Sequence, residues 1–132
     1  MQNNRILLLV NHWFNSLKTN LKTNKIKEIS STFLKRKVKI EITEPNNSRG
    51  QEPTGLLLLN DGQLTEALAV KTTIQKLNRE GSIIPVQVVA IHAGERHAEY
   101  GVSGTKDYLG RGARAGLYEN FIIRELLPWL QE

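Results

Sequence analysis

The sequence predicts a layered α/β fold around a partly parallel sheet, and three observations carry that prediction. Gly55-Leu56-Leu57-Leu58-Leu59-Asn60 is apolar without alternation, the pattern of a strand covered on both faces. Residues 85–92, Pro-Val-Gln-Val-Val-Ala-Ile-His, are a second β-branched run. With the helix-period stretch between them, the two runs make a βαβ unit, right-handed by the usual rule. Residues 34–43 alternate instead: Leu34, Arg36, Val38, Ile40 and Ile42 are mostly apolar, while Lys35, Lys37, Lys39 and Glu41 occupy the other face.

In chain order, residues 5–10 (Arg-Ile-Leu-Leu-Leu-Val) are short and apolar and suit a buried strand. Residues 15–32 are polar with no sustained apolar stripe and read as a loose loop or a weak helix. The alternating strand at 34–43 stops at Glu44-Pro45-Asn46-Asn47-Ser48-Arg49-Gly50, where Pro, Asn and Gly favour a reversal. After the strand at 55–60, Asp61-Gly62-Gln63 breaks the chain. Leu64, Ala67, Leu68, Ile74 and Leu77 then predict a helix over 64–79 that ends near Gly81. The strand at 85–92 leads into a long loop, 93–111, dense in glycine and charge. A final amphipathic helix over 113–130 is marked by Leu117, Phe121, Ile122, Leu126 and Leu130, with Pro128 limiting or kinking its last turn.

Composition narrows the function classes. The 132 residues contain no cysteine, which excludes a disulfide framework, a zinc ribbon and a thiolate nucleophile. The longest apolar run, Ile6 to Val10, is far short of the ~20 residues of a membrane-spanning helix, and no secretory signal is evident. A cytoplasmic location, no membrane contact and no cofactor are therefore expected. Residues 1–50 hold 10 basic and 3 acidic side chains, against 8 and 10 in residues 51–132. The eight Lys and Arg between Lys18 and Lys39 are accompanied by a single aromatic, Phe33, and no recognition motif. They read as a solvated basic face, and nucleic acid is not an expected partner.

A hydrolase nucleophile on an α/β sheet normally sits in a G-x-S-x-G turn between strand and helix, and no such turn exists here. Gly101-Val102-Ser103-Gly104-Thr105 lacks the second glycine and a preceding apolar strand, so Ser103 reads as a loop serine. His12, His92 and His97 do not form a metal-binding helix motif, and no metal site is expected; His92 reads as a structural histidine at a strand end. Asp61, Gly62 and Gln63 leave the carboxyl end of a strand and enter a helix. Their N–H groups suit either oxyanion stabilisation or simple capping and turning of the chain. Arg96, Glu99 and Tyr100 follow the next strand and read as an ion pair with an aromatic prop, the alternative being a substrate role.

Taken in order, residues 31–38, 56–63, 88–96 with Glu99-Tyr100-Gly101, and 118–128 (Tyr-Glu-Asn-Phe-Ile-Ile-Arg-Glu-Leu-Leu-Pro) resemble the front half of the Putative esterase family. This is the α/β-hydrolase group of esterase D-like and enterochelin esterase-like enzymes. The resemblance implies an N-terminal part of an α/β-hydrolase domain over 28–132, with residues 1–27 an extension or leading strand outside it. It assigns the oxyanion loop to Asp61, Gly62 and Gln63, and the active-site entrance to His92, Arg96, Glu99 and Tyr100. In the family the nucleophile elbow follows the Glu-Leu-Leu-Pro helix, and the acid and histidine come later. The expectation is thus a partial hydrolase sheet, truncated before the elbow, with no catalytic triad residue in this chain. Such a chain is expected to be inactive alone towards carboxylic esters or acylated sugars, its small-molecule substrates once completed. The alternative is a non-catalytic interaction domain using the basic face or the open sheet edge, an edge that also invites self-association.

Overall fold

In the computed structural model, which describes residues 25–45 and 54–132, four strands form one mixed sheet. They are β1 (Lys25–Ser31), β2 (Arg36–Thr43), β3 (Gly55–Asn60) and β4 (Val86–Ile91), hydrogen-bonded in the order β1-β2-β4-β3. The strand expected at residues 5–10 lies outside the described residues. β2 runs antiparallel to β1 and to β4, with Ile40 opposite Ile91, while β3 and β4 are parallel, with Leu58 opposite Val89. The alternation of β2 is realised: Val38, Ile40 and Ile42 are buried, and Lys37 and Lys39 are exposed. Leu34 is buried too, but in the hairpin turn ahead of β2 rather than within the strand.

Two expectations need correction. Residues 25–31, read as loop or weak helix, form β1, whose Ile29 pairs with Val38. Ile26 is 61% exposed, so the strand is held by its backbone ladder with β2 more than by its own burial, and the lysines along it suit an outer strand. β3 is not covered on both faces. It pairs with β4 alone among the described residues, and Leu57 is 37% exposed.

The helix expected over 64–79 is shorter. Gly62–Leu64 form one 3-10 turn, the chain reverses at Ala69 in the left-handed region (φ 49°), and helix α1 spans Val70–Arg79. Leu64 and Leu68, which suggested the earlier start, are largely exposed. A one-turn helix α2 (Arg96–Glu99) lies in the segment expected to be loop. The last helix begins as α3 (Ala115–Phe121), continues through a π-helical segment (Ile122–Leu126) and ends as α4 (Leu127–Trp129). The Leu127 N–H donates to the Ile122 carbonyl, five residues back. Pro128 has no N–H and its ring would press on the Arg124 carbonyl in a regular helix, so a widened turn just before it relieves both problems.

Phe121 and Leu126, both fully buried, complete the core with Leu34, Val38, Ile40, Ile42, Val89 and Ile91. Five residues of α-helix turn about 500°, which would place such a pair roughly 140° apart. The π turn brings them back to one face. Glu125, within the same turn, accepts from Ser31 Oγ (2.6 Å), the Thr32 N–H (2.8 Å) and the Thr32 hydroxyl, tying the helix to the β1–β2 hairpin.

Candidate active site

The candidate site lies at the carboxyl ends of β3 and β4, where open α/β sheets place their ligands. β3 ends at Asn60, and Asp61 follows in the left-handed conformation (φ 57°, ψ 46°). Aspartate visits this region more readily than most residues, at a cost of about 1 kcal/mol. Gly62 then packs tightly under the sheet end: a Cβ there would stand 2.9 Å from the Ala90 carbonyl carbon and 2.9 Å from His92 Cδ2. The 3-10 turn is closed by the Leu64 N–H on Asp61 O (2.8 Å) and the Thr65 N–H on Gly62 O (3.3 Å). Among the described residues, the N–H groups of Gly62 and Gln63 have no hydrogen-bond acceptor.

Long-range contacts pin this turn. Arg96 Nε (2.9 Å) and Nη2 (2.7 Å) both reach Asp61 Oδ1, as does Gln63 Nε2 (3.1 Å). Gln63 Oε1 accepts from the Ala93 N–H (3.0 Å), and Tyr100 Oη accepts from the Asp61 N–H (3.2 Å). The Tyr100 ring meets Tyr118 edge-on, with centroids 5.4 Å apart, and the Tyr118 hydroxyl donates to Asn60 Oδ1 (2.7 Å). Burial pushes both phenols above the usual tyrosine range. A depression of about 470 Å³ beside the turn is lined by Gln63 and by residues 93–98.

The ion pair expected between Arg96 and Glu99 is not formed. Glu99, 1% exposed, is held by Arg36 through Nε (2.9 Å) and Nη2 (2.7 Å). Burial alone would raise the Glu99 carboxyl, but the Arg36 hydrogen bonds and charge, with Arg114, hold it below the usual carboxylate range. Arg114 also donates to the Leu34 carbonyl (2.7 Å) and pairs with Glu95 (2.6 Å), fastening the start of α3 to the hairpin turn. His92 donates its N–H to Lys39 O (3.0 Å), while its buried Nε2 has no partner among the described residues. Burial, and then Lys39, push its imidazole below the usual range against an opposing effect of Glu41. Among the described residues no group of three or more metal-ligating side chains comes together.

Of the residues singled out in the sequence, the structure gathers Asp61, Gly62, Gln63, His92, Arg96 and Tyr100 at one end of the sheet, whereas Glu99 faces Arg36 behind them. Sequence reasoning missed Arg36 and Tyr118. Arg36 had a signal, since it holds an inward position of an alternating strand and so needed a buried counter-ion.

Comparisons with known proteins agree with this architecture. The chain matches an IroE-like serine hydrolase from Shewanella oneidensis with a TM-score of 0.66 and 25% identity, over 81% of this chain and 37% of that one. An enterochelin esterase from Shigella flexneri matches with a TM-score of 0.65 and 19% identity, over 86% of this chain and 26% of that one. The BES protein from Bacillus cereus matches with a TM-score of 0.62 and 14% identity, over 86% of this chain and 50% of that one. The last two likenesses bear on the fold alone. The chain therefore spans half or less of these structures, consistent with a partial α/β-hydrolase sheet. No curated protein matches. Residues 31–132 match the family described as Putative esterase, and on that match the chain belongs to this family.

Proposed function

We propose that this chain supplies the N-terminal part of an ester hydrolase, with residues 28–132 opening its α/β-hydrolase domain and residues 1–27 outside it. One observation carries the reading: within the family-matched segment, the turn leaving β3 holds two successive N–H groups, of Gly62 and Gln63, without an acceptor among the described residues. Preorganised N–H donors of this kind stabilise the oxyanion of a tetrahedral acyl-transfer intermediate. The Asp61 N–H is already committed to Tyr100. Arg96 and Tyr100 border the approach together with His92, and Glu99 supports it from behind through Arg36. The substrate class is a carboxylic ester or an acylated sugar.

The nucleophile, acid and histidine of the reaction are not among these residues, since no G-x-S-x-G turn occurs in the sequence. The purified chain is therefore expected to hydrolyse p-nitrophenyl acetate no faster than buffer, and to resist labelling by a fluorophosphonate. Hydrolysis above buffer by the folded chain, lost on replacing Ser103 with Ala, would overturn the assignment of the nucleophile elsewhere. A reading frame that carries a G-x-S-x-G turn beyond codon 132 supports the esterase reading.

A second reading, a non-catalytic interaction domain, is favoured by the outer edge of β3, which pairs with no strand among the described residues and leaves Leu57 37% exposed. Sedimentation of the chain beside Leu57→Lys decides it: a dimer abolished by the lysine supports the edge as an interface, and a monomer for both rules it out.

A further inference from the structure

We infer that Arg96 is a positioning residue that, with Tyr100 and Gln63, locks Asp61 in its left-handed conformation and so fixes where the Gly62 and Gln63 N–H groups point. The inference rests on reading this turn as the oxyanion loop and goes beyond it, because it moves Arg96 and Tyr100 from bordering the site to setting its geometry. A glycine would take φ 57° without strain, whereas at Asp61 the side chain supplies a compensating hold. Here one carboxylate oxygen collects three donors: Arg96 Nε, Arg96 Nη2 and Gln63 Nε2, at 2.9, 2.7 and 3.1 Å.

These donors come from two directions. Gln63 belongs to the turn itself and also accepts from the Ala93 N–H, so its side chain bridges the turn to the strand end beside it. Arg96 begins α2, after β4, and couples the ends of two parallel strands across 35 residues of chain. Tyr100 follows the last residue of α2 and takes up the Asp61 N–H. The same short helix therefore holds both the side chain and the backbone of Asp61. Tyr118 closes the ring by meeting Tyr100 edge-on and donating its hydroxyl to Asn60 Oδ1. Without the guanidinium, Asp61 can relax to an extended or right-handed conformation, which re-aims the N–H groups of Gly62 and Gln63.

The test is amide hydrogen exchange and ¹⁵N chemical shift of the full 132-residue chain, read residue by residue. In the wild type the Asp61 amide is expected to be protected and the Gly62 and Gln63 amides to exchange freely. Arg96→Met keeps the apolar stem and removes the guanidinium. It is expected to lower Asp61 protection about tenfold and to shift residues 61–63, with the melting temperature and the exchange of β2 unchanged. Arg96→Lys restores charge without the two-point contact and is expected to recover part of the protection. Should Arg96→Met fail to fold, Tyr100→Phe removes only the oxygen that receives the Asp61 N–H, and the same loss at Asp61 is expected. Unchanged protection and shifts at 61–63 in a folded variant would overturn the inference. The measurement needs no turnover, so failure of the esterase reading, which a reading frame without a G-x-S-x-G turn beyond codon 132 would show, leaves this result independent.

Discussion

Replacing Glu99 by Gln isolates the buried ion pair behind the candidate site. The Glu99 side chain is fully buried, and both of its oxygens receive Arg36, at 2.9 and 2.7 Å. Gln keeps the shape but offers one acceptor, and its NH2 group then faces a guanidinium N–H. Breaking one partner of a buried pair costs about 3–5 kcal/mol. Because the Arg36 side chain retains 22% exposure, it can recover part of its hydration, and the lower end, about 3 kcal/mol, is expected. The assay is urea unfolding followed by circular dichroism, with the slope unchanged so that midpoints report stability.

The pH dependence gives a second readout of the same variant. The Glu99 carboxyl titrates lower in the folded chain than in the unfolded one. Its contribution is therefore fully present above the unfolded value, about 4.3, and is lost as pH falls through the folded value. The gap between wild type and Glu99→Gln is thus largest at neutral pH and closes in acid. A difference below about 1 kcal/mol at pH 7, or a gap that stays constant down to pH 3, would refute the reasoning. Replacing the pair together, Arg36→Met with Glu99→Leu, is expected to recover most of the loss, since apolar substitutes of similar volume avoid the unpaired charge.

Further outcomes follow from neighbouring contacts. A Cβ at Gly94 would overlap the Arg36 guanidinium, so Gly94→Ala displaces it. It is expected to destabilise in urea by about 1–3 kcal/mol and to be non-additive with Glu99→Gln in a double-mutant cycle. At Gly62 the obstructing atoms include the Ala90 carbonyl, which is backbone and cannot step aside. Gly62→Ala is expected to shift the amide resonances of residues 61–65 and to cost about 1–3 kcal/mol, while an unchanged spectrum would refute the packing described. The His92 imidazole, lowered chiefly by burial, is expected to titrate below pH 6.5 by NMR, stabilising the fold above that value and losing its contribution as pH falls through the lower folded value. Tyr118→Phe is expected to remove a phenol that ionises above the usual tyrosine range in a spectrophotometric titration, where burial now holds it neutral.

Much of the fold was legible because β2 and β4 carry their own patterns. Val38, Ile40 and Ile42 alternate against lysines, and Val88 to Ile91 are β-branched or small and buried. β1 was not legible: Ile26 and Ile29 give no period, and the strand exists through pairing with β2. The exposure of β3 was equally hidden, since four leucines describe what a strand prefers and not which neighbours it receives. For the helix after β3, the left-handed turn at Ala69 has no local signature, because alanine favours the helix it interrupts. In the candidate site, Asn60-Asp61-Gly62 between a strand and a helix marked the turn, and the cluster after β4 marked its neighbour. That Arg96 would choose Asp61 over the nearby Glu99 depends on how the two strand ends lie side by side, which sequence spacing does not encode.

The π turn in the last helix holds one residue more than regular winding needs. Ile123 sits inside it and is 55% exposed, the kind of position where a deletion ordinarily goes unnoticed. Removing it would let the helix wind regularly, and Phe121 and Leu126, then four residues apart, would turn about 400° and stay roughly 40° apart on one face. Leu126 would keep its place in the core and Glu125 its reach to Ser31 and Thr32, but Pro128 would then press on the Arg124 carbonyl. The surplus residue and the proline belong together, so losing one from this helix is harmless only where the other is lost too.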